Sequence, residues 1–212
     1  MSGSVLSVQT RVALAAAVSA TLMAAPIAQA QTVVKIGHVG PVSGAQAHYG
    51  RDNENGARMA VDELNAQKLT IGGKKVTFEL VAEDDAADPK QGTAAAQKLC
   101  DAKVNGVVGH LNSGTTSPAS KVYNQCGLPM ISPSATNPEL TTLGYKNVFR
   151  LLANDLALGA GLANYAADKL KLKKVAIIDD RTAYGKGVSE VFARVAKERG
   201  LEVVSQQYTN DK

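Results

Sequence analysis

The sequence runs to 212 residues, 45% of them hydrophobic and only 4% aromatic, with a formal charge of +4 spread along the chain rather than gathered in a Lys/Arg block. A nucleic-acid binder concentrates its basic side chains in a patch or stripe, so that class is excluded. The length suits one α/β domain or one and a fraction.

The N-terminus reads as an export signal. Arg11 precedes an uncharged apolar run, Val12 to Ala25, and then Ala28-Gln29-Ala30. A positive charge, a short apolar segment and a small-x-small site are the three parts of a secretory leader. The run is shorter than the about 20 residues that cross a bilayer core, and no lipobox cysteine follows it. Cleavage after Ala30 starts the mature chain at Gln31 and lowers the charge by the single residue Arg11. The protein is expected to be exported and soluble.

Short β-rich runs then alternate with helical patterns. Val33 to Val39 reads as a strand, and Gly50 to Gln67 as a helix with Ala57, Ala60, Val61 and Leu64 on one face. Gly72-Gly73 marks a turn before a strand from Val76 to Ala82. Asp88-Pro89 opens a helix that runs to about Ala102, since Asp caps free N–H groups and Pro fits the first helical position. Strands are expected at Gly106 to Gly109, Met130 to Ser132 and Val148 to Leu151, with a helix from Thr116 to Gln125 between the first two. A helix from Asn154 to Lys171, a strand from Val175 to Asp179, a helix from Tyr184 to Gly200 and a strand from Leu201 to Tyr208 complete the series. Val188, Val191, Phe192 and Val195 form the inward face of that last helix. This alternation predicts an α/β, doubly wound and mostly parallel sheet with helices on both faces.

Cys100 and Cys126 are compatible with one disulfide in an oxidising compartment. Metal ligation is the rival reading. Neither cysteine belongs to a C-x-x-C or adjoins a histidine, which favours a structural role, bonded or as two buried thiols.

Open α/β sheets bind ligands at the C-terminal ends of their strands. The loops there hold Gly40-Pro41-Val42-Ser43-Gly44 with His48-Tyr49-Gly50, Asn112-Ser113-Gly114-Thr115-Thr116, and Pro133-Ser134-Ala135-Thr136-Asn137-Pro138. Hydroxyls and glycine outnumber charges, which suits a neutral or zwitterionic ligand. Free N–H groups at a helix start, beside the Ser113 and Thr115 hydroxyls, can hold a carboxylate without a counter-charge; taken alone, plain helix capping is the better reading of these two residues. Glu83-Asp84-Asp85 with Asp88 is the only acidic cluster, read as a helix cap at Asp88 and polar surface near the cleft otherwise. His38, His48 and His110 lie at or near strand ends and read as packed or surface residues. No dinucleotide or P-loop fingerprint and no G-x-S-x-G elbow occurs, so an enzyme is not expected, nor a cofactor or metal.

The segments Val39-Gly40-Pro41-Val42-Ser43-Gly44, Tyr49-Gly50, Asp84-Asp85 with Asp88-Pro89, Gly109-His110-Leu111-Asn112-Ser113, Ile131-Ser132-Pro133-Ser134-Ala135-Thr136 and Tyr184-Gly185 occur in order and at compatible spacing. With them the chain resembles the periplasmic leucine/isoleucine/valine-binding proteins of ABC-type uptake systems, which have the type I periplasmic-binding fold. The resemblance implies two α/β lobes, at 31–153 and 154–212, each incomplete here and closing on a ligand. It implies that the Ser113 hydroxyl binds the ligand carboxylate. The backbone of Ser134, Ala135 and Thr136, with the Thr136 hydroxyl, would meet the carboxylate and ammonium. Tyr49 would border the side-chain pocket, Tyr184 would close from the second lobe, and Asn154 with Asp155 would make the first crossing. The implied partners are a small amino acid and a membrane permease, for a protein that is monomeric at full length. A sensor of an amide or amino acid, or a binder of another small polar solute, is the alternative; the leader favours uptake. Two positions depart from the family, Asn112 and Ala87 standing where cysteines are expected. The family disulfide therefore cannot form, and a Cys100–Cys126 bond would be a different one. The family's ammonium-binding carboxylate would lie beyond Lys212, so weak binding is expected of residues 31–212.

Overall fold

The computed structural model describes residues 31–209; the expected leader lies outside them. Strand β1 (Thr32–Gly40) is an interior strand of a six-stranded sheet with the order β2-β3-β1-β4-β5-β6. Its neighbours are β3 (Lys74–Asp84) and β4 (Gly106–Gly109), both parallel to it. Beyond β4 come β5 (Met130–Ser132) and β6 (Val148–Arg150), also parallel.

Among the described residues, the one antiparallel pair is β2 (Thr70–Ile71) with β3. Gly72 and Gly73 both take positive φ between them, which a two-residue hairpin turn of primed type requires. The hairpin draws Lys74 and Lys75 into β3, ahead of the Val76 start that the sequence pattern gives.

Helix α1 (Ala47–Ala66) covers β1 and β3. Val61 is buried and Ala57 and Leu64 are half-buried, but Ala60 is exposed, so the apolar stripe is narrower than expected. The Asn65 side chain on this helix donates to the Phe78 carbonyl (2.9 Å) and accepts its N–H (2.8 Å), standing in for a strand neighbour of β3. Helix α2 (Pro89–Asp101) starts as expected, with Asp88 Oδ1 accepting the N–H groups of Lys90 and Gln91 at 2.9 Å each.

Helix α3 (Ser113–Cys126) begins three residues before the expected Thr116. The Thr115 and Thr116 hydroxyls donate back to the Asn112 carbonyl (3.1 and 2.7 Å), so the polar run is absorbed into the first turn. Against the sheet, α2 and α3 bury Val39, Ala95, Ala96, Leu99, Val107, Ala119, Tyr123 and Met130. A disulfide joins Cys100 of α2 to Cys126 of α3, with Cα atoms 6.3 Å apart, which decides between the structural and metal readings of these residues.

A second sheet pairs β7 (Lys174–Asp179) in parallel with β8 (Glu202–Tyr208). Helices α4 (Asp155–Asn164) and α5 (Ala183–Glu198) pack together over one face of it, around Ala163, Ala166, Val191, Val195, Ala196 and Leu201. The helix expected over 154–171 passes into a π-helical turn at Tyr165–Lys169. Ile178 of β7 and Val204 of β8 are exposed.

Candidate ligand-binding site

Because β1, β4 and β5 run parallel, their C-terminal ends lie side by side and deliver three loops to one edge of the first sheet.

In the first loop, Asp84 Oδ1 accepts the N–H groups of Val42 (2.9 Å) and Ala86 (2.8 Å). Burial works against the charge, but hydrogen bonds from Ser43, Ala86 and Val42 hold this carboxyl below its ordinary pKa. The Gln46 Oε1 atom accepts from Asn112 Nδ2 at 2.7 Å, tying the first loop to the second.

The second loop runs from His110 into α3. Ser113 is buried, and its hydroxyl accepts the Asn137 N–H of the third loop at 3.2 Å. The first amides of a helix have no intrahelical acceptor, and here those belong to Ser113 and Gly114. The Thr115 side chain is fully buried and its hydroxyl donates to the Asn112 carbonyl, so of the two hydroxyls at the start of α3 that of Ser113 meets the third loop.

The third loop is shaped by Ser132, which sequence reasoning passed over as a strand residue. Its hydroxyl donates to the His110 carbonyl (2.8 Å) and accepts the N–H groups of Ala135 (2.9 Å) and Ser134 (3.3 Å). Arg150, also missed, donates to the Asn137 carbonyl (2.7 Å) and to Thr141 Oγ1 (3.2 Å), bracing the end of the loop. The Thr136 hydroxyl is buried and lies beside the Asp155 carboxyl, whose pKa it helps to hold down.

Beside Thr136 lies Asp155, in the first turn of α4 after Asn154, whose side chain caps that helix at the Ala157 N–H. Asp155 is fully buried, its N–H donates to the Thr136 carbonyl (2.9 Å), and the Thr136 hydroxyl is the polar group beside its carboxylate. Gly187 of α5 packs so closely that an added Cβ would stand 2.9 Å from Asp155 Oδ2. Burial pushes the carboxyl pKa up, opposed by the Thr136 hydroxyl and the Arg150 charge. A carboxyl with a raised folded pKa binds its proton more readily folded than unfolded. Its charge therefore opposes folding at neutral pH, and that opposition fades as the pH falls through the raised value. Asp155→Asn removes the charge and keeps the shape, so it is expected to raise stability at pH 7. The gain should shrink on acidification into the ordinary carboxyl range. Urea midpoints at the two pH values check this, and an equal gain at both would contradict it.

The acidic cluster is not polar surface throughout. Glu83 pairs with Lys98 (2.8 Å), but Asp85 is fully buried, with Oδ2 2.8 Å from His110 Nδ1. His38 is buried too, and burial lowers its pKa; His48 is exposed. Ser113 and the Ser134–Thr136 stretch thus come together, with Asp155 alongside. Tyr49 sits 58% exposed in the first turn of α1, its ring 3.9 Å from that of His48. Tyr184 is 44% exposed and lines an open hollow of about 420 Å³ with Leu162, Ile178 and Phe192 on the second sheet. Asn137 Nδ2 donates to the Ala183 carbonyl at 3.3 Å, linking the third loop to the residue before Tyr184.

The sequence model of the family described as "Periplasmic binding protein" matches residues 33–212. The chain belongs to that family. It is 41% identical over 197 residues to the Leu/Ile/Val-binding protein BraC3 of Rhizobium johnstonii, covering 92% of this chain and 52% of that protein. It is 40% identical over 171 residues to the Leu/Ile/Val/Thr-binding protein of Salmonella typhimurium, covering 81% and 46%. Among solved structures, the branched-chain amino acid transporter substrate-binding protein LivJ of Streptococcus pneumoniae, in complex with isoleucine, superposes with a TM-score of 0.76 at 34% identity, covering 85% of this chain and 50% of that one. The chain spans about half the length of these relatives, and what it presents is part of the type I periplasmic-binding fold.

Proposed function

We propose that this periplasmic binding protein captures an aliphatic amino acid of the leucine, isoleucine and valine class in the periplasm and delivers it to the permease of an ABC-type uptake system. The observation that carries the reading is the convergence of the α3 N-terminus and the Ser113 hydroxyl on the third loop, where Asn137 N lies 3.2 Å from Ser113 Oγ. The ligand carboxylate is received by the Ser113 hydroxyl and the opening amides of α3, whose dipole favours negative charge. The ammonium is received by the buried Thr136 hydroxyl and nearby backbone of Ser134 and Ala135, with the Asp155 carboxylate adding negative charge on that side. Residues 31–153 supply one lobe and 154–212 the start of another, with Tyr49 and Tyr184 at the two rims. Delivery then rests on closure of the lobes, which makes loaded and empty forms differ for the permease. The names of the two relatives given above, a Leu/Ile/Val-binding and a Leu/Ile/Val/Thr-binding protein, support the ligand class.

Ser113→Ala tests the reading. A hydrogen bond to a charged group is worth about 1.5–3 kcal/mol, so the variant should bind L-leucine at least about ten-fold more weakly. Calorimetry or NMR titration measures this, and unchanged affinity would remove Ser113 from the site.

A further inference from the structure

We infer that Asp85 and His110 are positioning residues of this site: with Ser132 they form a buried hydrogen-bonded line that sets the three loops against one another without touching ligand. The inference rests on the reading of the loops as the ligand site.

The line starts at β1, where the Asp85 N–H donates to the carbonyl of Gly40, the last residue of that strand (3.2 Å). The Asp85 carboxylate spends Oδ1 on the Ala87 N–H (3.0 Å) and Oδ2 on His110 Nδ1 (2.8 Å). On the other side of the imidazole, Nε2 meets the Tyr123 hydroxyl at 3.0 Å. All three side chains are fully buried. Burial, then the charges of Asp85 and Glu83, push the Tyr123 phenol up, so it keeps its proton and is able to donate to Nε2. With Nδ1 against the Asp85 carboxylate and Nε2 against the phenol, both ring nitrogens are engaged and one ring orientation is held. With the ring fixed, the His110 carbonyl is aimed at Ser132, whose hydroxyl donates to it and accepts the amides of Ser134 and Ala135. The Thr116 hydroxyl, one turn into α3, reaches the same carbonyl at 3.4 Å.

A continuous polar path thus joins the end of β1, the start of α3 and the third loop. Burying such a chain is weak support for stability, because apolar packing of similar volume serves a core as well. What it adds is direction, since hydrogen bonds fix orientation where apolar contacts allow sliding.

The test separates the two sides of the imidazole. In His110→Asn the amide nitrogen stands where Nδ1 stands and keeps the Asp85 bond; His110→Gln reaches the Nε2 position and loses it; Tyr123→Phe removes only the hydroxyl. Amide hydrogen exchange is followed by NMR on the chain without ligand, and L-leucine is then titrated. In His110→Gln the Ser134 and Ala135 amides should exchange, and leucine affinity fall, by about ten-fold or more, the loss expected for a charge-assisted bond. His110→Asn and Tyr123→Phe should stay within about three-fold of the parent, and the Val39 amide of β1 should not change. If His110→Gln does not fold, Asp85→Asn serves instead. Its single oxygen satisfies either the imidazole or the Ala87 amide, so exchange should quicken by about three-fold or more. Equal behaviour of His110→Asn and His110→Gln, or undisturbed Ser134 and Ala135 amides, would overturn the inference. Faster exchange in His110→Gln with no leucine binding even by the parent would uphold the positioning line and overturn the ligand reading.

Discussion

Gly109→Ala is expected to destabilise the chain by about 4 kcal/mol, because two penalties of about 1–3 kcal/mol fall on one atom. Gly109 ends β4 and pairs with Val39 in the register of the first sheet. Its φ of +146° is a conformation that side chains rarely adopt, and an added Cβ would stand 2.5 Å from the Val39 carbonyl oxygen and 3.0 Å from the Val39 nitrogen. Backbone of an interior strand has no room to yield. Gly44→Ala is the control: it too has positive φ (+75°), but nothing lies within 4 Å of the added atom, so only the conformational cost of about 1 kcal/mol remains. Urea denaturation of the two variants measures the difference, and equal losses would show that the approach to Val39 is not tight. Since His110 follows Gly109 directly, the same close approach places the second loop.

Removing the disulfide has the next largest expected effect. Replacing Cys100 and Cys126 by serine opens a loop with a sequence separation of 26, and the chain-entropy model gives a loss of about 3.5 kcal/mol. For a domain of this size that lowers Tm by about 10 °C. The bond joins the C-terminal ends of α2 and α3, whereas the site uses the N-terminus of α3. The double variant, assayed where it is still folded, should therefore keep its ligand affinity. A melting temperature unchanged by the substitution or by reductant would contradict the stabilising role.

The alternation of strands and helices was legible because parallel strands buried on both faces read as short apolar runs, as Gly106–Gly109 and Met130–Ser132 do. Asp88-Pro89 was legible because capping is a local matter between neighbours in sequence. What escaped depended on partners distant in sequence or on bonds a pattern does not display. The two-residue strand at Thr70 is too short to carry a period. The early start of α3 depends on threonine hydroxyls turning back to Asn112. Asp85 and His110 are 25 residues apart and meet only because β3 and β4 flank β1, so a carboxylate in an acidic run looked like surface. At the site, hydroxyls and helix amides pointed to a zwitterionic ligand, while the particular roles of Ser113, Ser134, Ala135 and Thr136 came from family resemblance. The fold brings those residues to one edge of the sheet and adds Ser132, Arg150 and Asp155, which hold or face them.

The measurement closest to the central claim is a ¹H–¹⁵N titration of the isotope-labelled chain with L-leucine, L-isoleucine and L-valine, with glucose and ATP as controls. It registers weak binding and reports where the ligand sits. The account predicts saturable shifts at the amides of Ser113, Gly114, Ser134, Ala135 and Thr136 with the three amino acids and none there with glucose or ATP. Shifts confined to other residues, or an equal response at these amides to ATP, would contradict it.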